Sequence, residues 1–363
     1  MNHIIIVGGG AIGMLTALEC ARAGAQVTVF ERGETGRESS WAGGGIVSPL
    51  FPWRYLDSVT RLASWSQQVY PELADELAAD TGIDPEYTPC GLILIAADET
   101  EQAMAWADRH QRVVEQINAA TFAELEPKAA KPADDALWMP TVGQVRNPRM
   151  VQALRVRLGQ LGVTVRTQSP VGTLLHDGDR CTGVRSATGD TEGDAVIVCA
   201  GAWSTGLLSD MLSPPAIEPV RGQMLLFRAK PGTISRMVLE QNRYVIPRRD
   251  GRTLFGSTIE HAGFDKQTTE SARDELYEIA TSRFPVLKAY EVEAHWAGLR
   301  PSSPAGVPYI GRHPEIAGLY VNAGHFRNGI VLGPASARLV TDLVLGRDPI
   351  IDPTSYGWTA ARG

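Results

Sequence analysis

Gly8, Gly10 and Gly13 stand in the spacing Gly-x-Gly-x-x-Gly directly after the β-branched run Ile4-Ile5-Ile6-Val7. The chemistry such a pattern serves is the holding of a pyrophosphate. Gly8 permits a tight turn, Gly10 lets phosphate oxygens approach the backbone, and Gly13 lets the following helix pack closely on the strand while its N-terminus faces the anion. Eighteen residues after Gly13, Glu31 closes a second apolar run, Val27-Thr28-Val29-Phe30, where a carboxylate accepts hydrogen bonds from ribose hydroxyls. The same carboxylate disfavours a 2′-phosphate, since two negative charges would meet. Alone the glycines are weak evidence; with both strands, the helix and the acid in place they favour a dinucleotide over a turn that merely packs a helix on a sheet. Flavin and nicotinamide dinucleotides share the motif, so it leaves that choice open. The fingerprint occurs once and there is no Cys-x-x-Cys pair, which makes a single cofactor the simpler expectation.

These residues need a frame to hold them. Residues 4–7 suit a strand buried on both faces of a parallel sheet, positions 11, 14, 15 and 18 follow helical spacing up to Gly24, and residues 27–30 form a second strand. That is a βαβ unit with a right-handed crossover. Residues 33–45 are a Gly/Ser-rich loop whose triplet Gly43-Gly44-Gly45 points to close approach of backbone to a ligand, a plain linker being the alternative. Helical spacing follows over 62–77, a strand over 91–96, a helix over 99–117, a helix over 148–161, a strand over 163–165 and a hairpin from 171–176 to 181–187. Residues 195–199 should return to the parallel sheet beside the first strand. From 215 to 295 strands alternate around one helix (271–283), the texture of an antiparallel sheet, and residues 319–322 with a helix over 333–345 restore the α/β pattern. The fold class expected is α/β plus α+β. A discontinuous Rossmann-like dinucleotide domain takes residues 1–83, 142–215 and 298–363, and a mostly antiparallel substrate domain takes 84–141 and 216–297.

The 363 residues suit two domains, and 44% apolar with 21% charged residues describe a compact folded chain. Lys and Arg number 34 against 41 Asp and Glu, a formal charge of -7 without any basic tract, so nucleic acid is not an expected partner. Cys20, Cys90, Cys181 and Cys199 lie far apart and are expected as reduced, buried thiols. The histidines show no metal-ligand spacing, and no metal is expected. Residues 4–18 are almost uncharged but have no cationic lead-in, contain three consecutive glycines and fall short of the ~20 apolar residues of a membrane span. The expectation is a cytoplasmic protein with no membrane span.

Five segments in order carry a family resemblance: the fingerprint with Glu31; Ser39-Ser40-Trp41-Ala42-Gly43-Gly44-Gly45-Ile46; Val198-Cys199-Ala200-Gly201-Ala202-Trp203-Ser204; Gly298-Leu299-Arg300-Pro301; and Gly324-His325-Phe326-Arg327-Asn328-Gly329-Ile330. Together they resemble the D-amino acid oxidase superfamily of FAD enzymes, and within it the glycine oxidases of thiamine synthesis. The resemblance spans nearly the whole chain. It implies a discontinuous FAD domain beside a mostly antiparallel substrate domain. It implies non-covalent FAD, since no cysteine lies near the Gly-His-Phe stretch where some relatives tether the flavin. It also implies a small amino acid substrate, dioxygen as acceptor, and a homo-oligomer.

Carried over residue by residue, the resemblance places Gly8, Gly10, Ala11, Ile12 and Gly13 on the pyrophosphate and Glu31 with Arg32 on the adenosine. Ser39, Ser40, Gly44, Gly45 and Ile46 would run past the phosphates and flavin, Val171 past adenine, and Ala200, Gly201 and Trp203 along the same cofactor. His325, Phe326, Arg327, Asn328, Gly329, Ile330 and Val331 match the turn beside the flavin ring, where backbone N–H groups stabilise negative charge. Arg300 matches the arginine that takes the substrate carboxylate, a task suited to a fork of two parallel hydrogen bonds. Tyr244 matches a pocket tyrosine and Arg327 a second arginine near the ring. Ile259 and the bulky Phe51-Pro52-Trp53 are expected to narrow the pocket in favour of glycine. A methylene is worth only about 1–3 kcal/mol, so sarcosine and D-alanine should overlap. The implied reaction passes a hydride from the substrate Cα to flavin N5, with glyoxylate, ammonia and hydrogen peroxide as products. The alternatives are a related dehydrogenase that uses a quinone, and a flavin-binding subunit that needs a partner.

Overall fold

The computed structural model describes residues 2–211 and 213–362. Its first sheet has six strands in the order Tyr309–Arg312, Leu319–Ala323, Ala195–Val198, His3–Val7, Gln26–Phe30 and Thr164–Arg166. All neighbours run parallel except Tyr309–Arg312 against Leu319–Ala323. The expected return of the 195–199 run to the first strand is observed, with Ile4 opposite Ala195 and Val7 opposite Val198. Residues 4–7 of strand His3–Val7 are apolar because both faces of the strand are covered there. Ile4 and Ile6 join the core under helices Ala11–Arg22, Asp57–Thr81, Asn147–Gln160 and Gly329–Leu345. Ile5 and Val7 point the other way, onto Leu174, Cys181 and Val184 of the three-stranded sheet that contains the predicted hairpin.

A second sheet has eight strands in the order Val292–Ser302, Glu218–Phe227, Thr253–Gly256, Arg243–Pro247, Met237–Glu240, Leu92–Ile95, Ala136–Met139 and Glu115–Ile117. It is antiparallel apart from the pairing of Met237–Glu240 with Leu92–Ile95. Alternation along its strands separates two faces. Leu225, Phe227, Val245 and Phe255 pack against Leu276, Ala280 and Phe284 around helix Glu270–Arg283, whereas Met224, Tyr244 and Ile246 belong to the cluster on the opposite face.

Several local expectations are corrected. The helix expected over 99–117 spans only Thr100–His110, because Gln111 adopts φ 52° and ends it; Glu115–Ile117 is an edge strand. The helix expected over 62–77 extends to Asp57–Thr81 in spite of Pro71, and the loop 33–45 contains one helical turn, Ser39–Ala42. The last helix begins at Gly329 rather than 333 and accommodates Pro334. All four cysteines are buried and free. Among the described residues no helix is long and apolar enough to cross a membrane, and no cluster of His, Cys, Asp and Glu is placed to hold a metal.

Candidate active site

Residues of both large sheets and of the loops at the ends of the parallel strands line a cavity of about 480 Å³, within the usual range for cofactor and ligand sites. On the parallel-sheet side, Gly8 adopts φ +117°, and a Cβ there would sit 2.3 Å from the Cys199 carbonyl oxygen. A Cβ on Gly13 would lie 1.8 Å from the carbonyl oxygen of Gly8, so helix and strand pack as the fingerprint demands. Glu31 ties the turn together: one carboxylate oxygen accepts from the N–H of Gly9 and the other from that of Gly33, both at 2.8 Å. Ser40 Oγ accepts from the Ala11 N–H at 2.8 Å, and Ser39 donates to the Leu299 carbonyl. Arg32 lies over the Trp203 ring at 3.4 Å and pairs with Glu38 at 2.7 Å.

The Gly43-Gly44-Gly45 segment is pinned by a residue that the sequence did not single out. Arg248 is buried and donates to the Gly44 carbonyl at 2.8 Å and the Val145 carbonyl at 2.9 Å, and also to Gln144. Burial pushes its pKa down to about 10, which leaves it charged at neutral pH. Gly45 has φ +80°, and a Cβ there would stand 2.1 Å from the Val145 carbonyl oxygen.

The mixed sheet supplies the other wall. Its register sets Arg300 opposite Val220, and Gly222 opposite Gly298. Arg300 Nη1 donates to the carbonyls of Arg221 (3.3 Å) and Thr258 (3.1 Å), and Nη2 to Ser257 Oγ (2.6 Å). A Cβ on Gly222 would fall 2.1 Å from Nη2, so the glycine is the space the guanidinium occupies. Among the described residues no carboxylate pairs with Arg300, whose hydrogen-bond acceptors are neutral. Burial pushes its pKa down, against the stabilising influence of Tyr244 and Glu260, yet a guanidinium does not lose its proton. The result is a cation on the cavity wall that is short of an anion.

Tyr244 is buried beside it and donates to Ser257 Oγ at 3.2 Å, with the Met224 sulfur 3.9 Å away. Arg327 Nη1 donates to Asn242 Oδ1 at 3.1 Å, while its Nη2 is buried without a partner. Burial pushes the pKa of His325 down to about 3, so its ring is neutral.

Of the residues expected at the site, all line this cavity except Gly13, Asn328 and Val331. Gly13 lies beneath the Gly8 turn, while Asn328 and Val331 are buried. Ile259 does not narrow the cavity as expected. Thr258 and Glu260 turn inward to hydrogen-bond Gln223, so alternation turns Ile259 outward, where it is 39% exposed. Phe51 is likewise drawn into the core around Leu92 and Leu94, and Trp53 donates to Glu99. Just before this stretch, Ser48 and Leu50 reach the wall instead. Gly222, Met224, Arg248 and Ser257 were missed; a glycine inside a strand, as at 222, was the one available signal.

The donor set fits FAD. Glycine backbone at a helix N-terminus suits a pyrophosphate and Glu31 suits a ribose. The buried Asn322 Oδ1 and Arg327 Nη2, both without partners, come from cavity-lining residues and suit the polar edge of a flavin ring.

A family model described as FAD dependent oxidoreductase matches residues 3–343. The glycine oxidase of Pseudomonas aeruginosa is 48% identical, over 98% of this chain and 98% of that protein. The crystal structure of glycine oxidase from Geobacillus kaustophilus superposes with a TM-score of 0.93 at 29% identity and covers 100% of both chains. The bifunctional protein ThiO/ThiG of Trichormus variabilis is 28% identical over 98% of this chain, which spans 55% of that longer protein. With its fingerprint, its two sheets and a match over nearly its whole length, the chain belongs to the family of FAD-dependent oxidoreductases.

Proposed function

We propose that the protein is an oxidase that deaminates glycine, and also sarcosine and small D-amino acids, consuming dioxygen and water to give the 2-oxo acid, hydrogen peroxide and ammonia, or methylamine in the case of sarcosine. The observation that carries this reading is Arg300, a charged guanidinium on the cavity wall with only neutral hydrogen-bond partners. A small amino acid has little apolar surface and must be held by its carboxylate, which Arg300 can take with two parallel hydrogen bonds. FAD, held non-covalently by the Gly8–Gly13 turn and Glu31, would supply the electron-accepting chemistry, with dioxygen as the final acceptor.

The roles left to the chain are binding and orientation. Arg300 and Tyr244 fix the carboxylate end, and Met224 with Tyr244 bounds the space for a side chain. Two carboxylates line the cavity, and both are engaged: Glu31 on the N–H groups of Gly9 and Gly33, Glu38 on Arg32. His325 is buried and neutral, with its pKa near 3. Among the described residues that line the cavity, no carboxylate or histidine is therefore free to act as a base, which fits a substrate that arrives with a neutral amine. Arg327 and the turn 325–331 would stabilise negative charge at the ring. The thiol of Cys199, on the cavity wall, is pushed up in pKa by burial and is a poor nucleophile, which supports non-covalent attachment. The likeness to part of a ThiO/ThiG protein supports use of the glycine imine in thiazole synthesis.

Oxygen uptake by the purified protein with glycine, sarcosine and D-alanine tests the proposal. Glycine-dependent uptake with matching peroxide and ammonia is expected. Reduction of a quinone dye without oxygen uptake would make the chain a dehydrogenase, and no turnover with either acceptor would point to a subunit that needs a partner.

A further inference from the structure

Ser257 follows strand Thr253–Gly256 and is fully buried. Its hydroxyl lies between the two side chains that the proposed function assigns to the substrate carboxylate. It accepts from Arg300 Nη2 at 2.6 Å and from the Tyr244 hydroxyl at 3.2 Å. The contact to Nη2 is shorter than those from Nη1 to the carbonyls of Thr258 and Arg221, at 3.1 and 3.3 Å.

We infer that Ser257 is a positioning residue that holds Arg300 and Tyr244 together at the carboxylate end of the cavity; because the one hydrogen of the phenol goes to Ser257, Tyr244 acts on the carboxylate through that serine. The inference rests on the reading of Arg300 as the carboxylate anchor. A guanidinium has five N–H groups in one plane. Here both hydrogens of Nη1 are spent on backbone carbonyls and one of Nη2 on Ser257. None of these contacts uses Nε, and Nε with Nη2 forms the edge of a guanidinium whose two N–H groups a carboxylate accepts bidentately. The carbonyls alone restrain Nη1 and leave the plane free to pivot about it. The hydroxyl of Ser257 holds the opposite nitrogen and so fixes the direction of the free edge. By accepting from Tyr244, the same oxygen keeps the phenol beside that edge. The serine's own carbonyl accepts from Arg243 at 2.7 Å, a backbone contact that a side-chain truncation leaves in place.

The test uses the FAD-loaded protein and acetate, a carboxylate that cannot be oxidised, with binding followed by the shift it causes in the flavin spectrum. In Ser257→Ala the acetate Kd and the glycine KM should each rise about 10-fold, as expected for loss of a hydrogen bond to a charged group, while kcat falls less than about 3-fold. FAD content should equal that of the unaltered protein. Tyr244→Phe should weaken acetate binding in the native background and add less than about 2-fold in the Ser257→Ala background, because the two hydroxyls act through one contact. Ser257→Thr, which keeps the oxygen, should restore acetate binding.

Unchanged acetate affinity in Ser257→Ala would overturn the inference, as would full additivity with Tyr244→Phe. Acetate binding does not depend on turnover. If acetate binds in an Arg300-dependent way but glycine is not oxidised, the proposed substrate is wrong and the clamp stands. If glycine is oxidised and Ser257→Ala binds acetate normally, the reverse holds.

Discussion

Replacing Gly222 by alanine puts a methyl group where the structure has room for a guanidinium. The new Cβ would lie 2.1 Å from Nη2 and 2.2 Å from Nη1 of Arg300. The neighbour is the far end of a flexible side chain rather than backbone, so the chain should fold and the arginine should yield. To regain van der Waals separation near 3.4 Å the guanidinium must retreat by about 1.3 Å, which breaks its contact with Ser257. Misplacement of a substrate-positioning group on this scale costs about 100-fold in rate, or about 2.7 kcal/mol at the transition state. The assay is kcat/KM for glycine from initial oxygen uptake, with FAD content taken from visible absorbance and Arg300→Ala as the floor. Gly222→Ala should keep its FAD and lose about two decades of kcat/KM. A folded, FAD-loaded Gly222→Ala within 3-fold of the native rate would refute the placement of Arg300 as substrate anchor.

Arg248→Met strands the carbonyls of Gly44 and Val145 and the side chain of Gln144, so stability should fall by about 2–4 kcal/mol and FAD should be lost on gel filtration. Unchanged melting with full FAD retention would contradict that role. His325 binds its proton below about pH 6.5 in the unfolded chain but only near pH 3 in the folded one. Its contribution to stability is therefore complete above about pH 6.5 and is lost as the pH falls, by up to about 1.4 kcal/mol per unit. His325→Gln should melt with a shallower pH dependence between pH 5 and 6.5, and equal slopes would speak against a buried neutral ring. Glu31→Gln keeps one acceptor but cannot serve Gly9 and Gly33 equally, so apoprotein titrated with FAD should show about 10-fold weaker binding by flavin fluorescence; an unchanged Kd would contradict it.

The parallel core was legible because its signals are local: an unbroken β-branched run, glycines at fixed offsets and a carboxylate at a strand end all lie within residues 4–31. Arg300, Tyr244 and the 325–331 turn were legible only through family motifs; nothing in their own spacing brings them together. Their meeting depends on the register of strands Glu218–Phe227, Thr253–Gly256, Arg243–Pro247 and Val292–Ser302, which are distant in the chain. Ser257 and Arg248 had no sequence signature for the same reason, since each acts through contacts made across the sheet. Where apolar periodicity misled, tertiary structure decided. Val114 and Ile117 continue the helical spacing beyond His110, but Gln111 turns left-handed and the segment pairs with Ala136–Met139 instead. Ile259 was placed at the pocket by the family resemblance, whereas the inward hydrogen bonds of Thr258 and Glu260 turn it to solvent.

Glycine oxidation at this cavity can be followed in the visible spectrum of the purified protein, recorded without air, then with glycine, then with air readmitted. The flavin band should bleach with glycine and return with oxygen, and in Arg300→Ala it should be present but should not bleach. A flavin band that glycine leaves unmoved would contradict the assignment of this cavity to glycine oxidation.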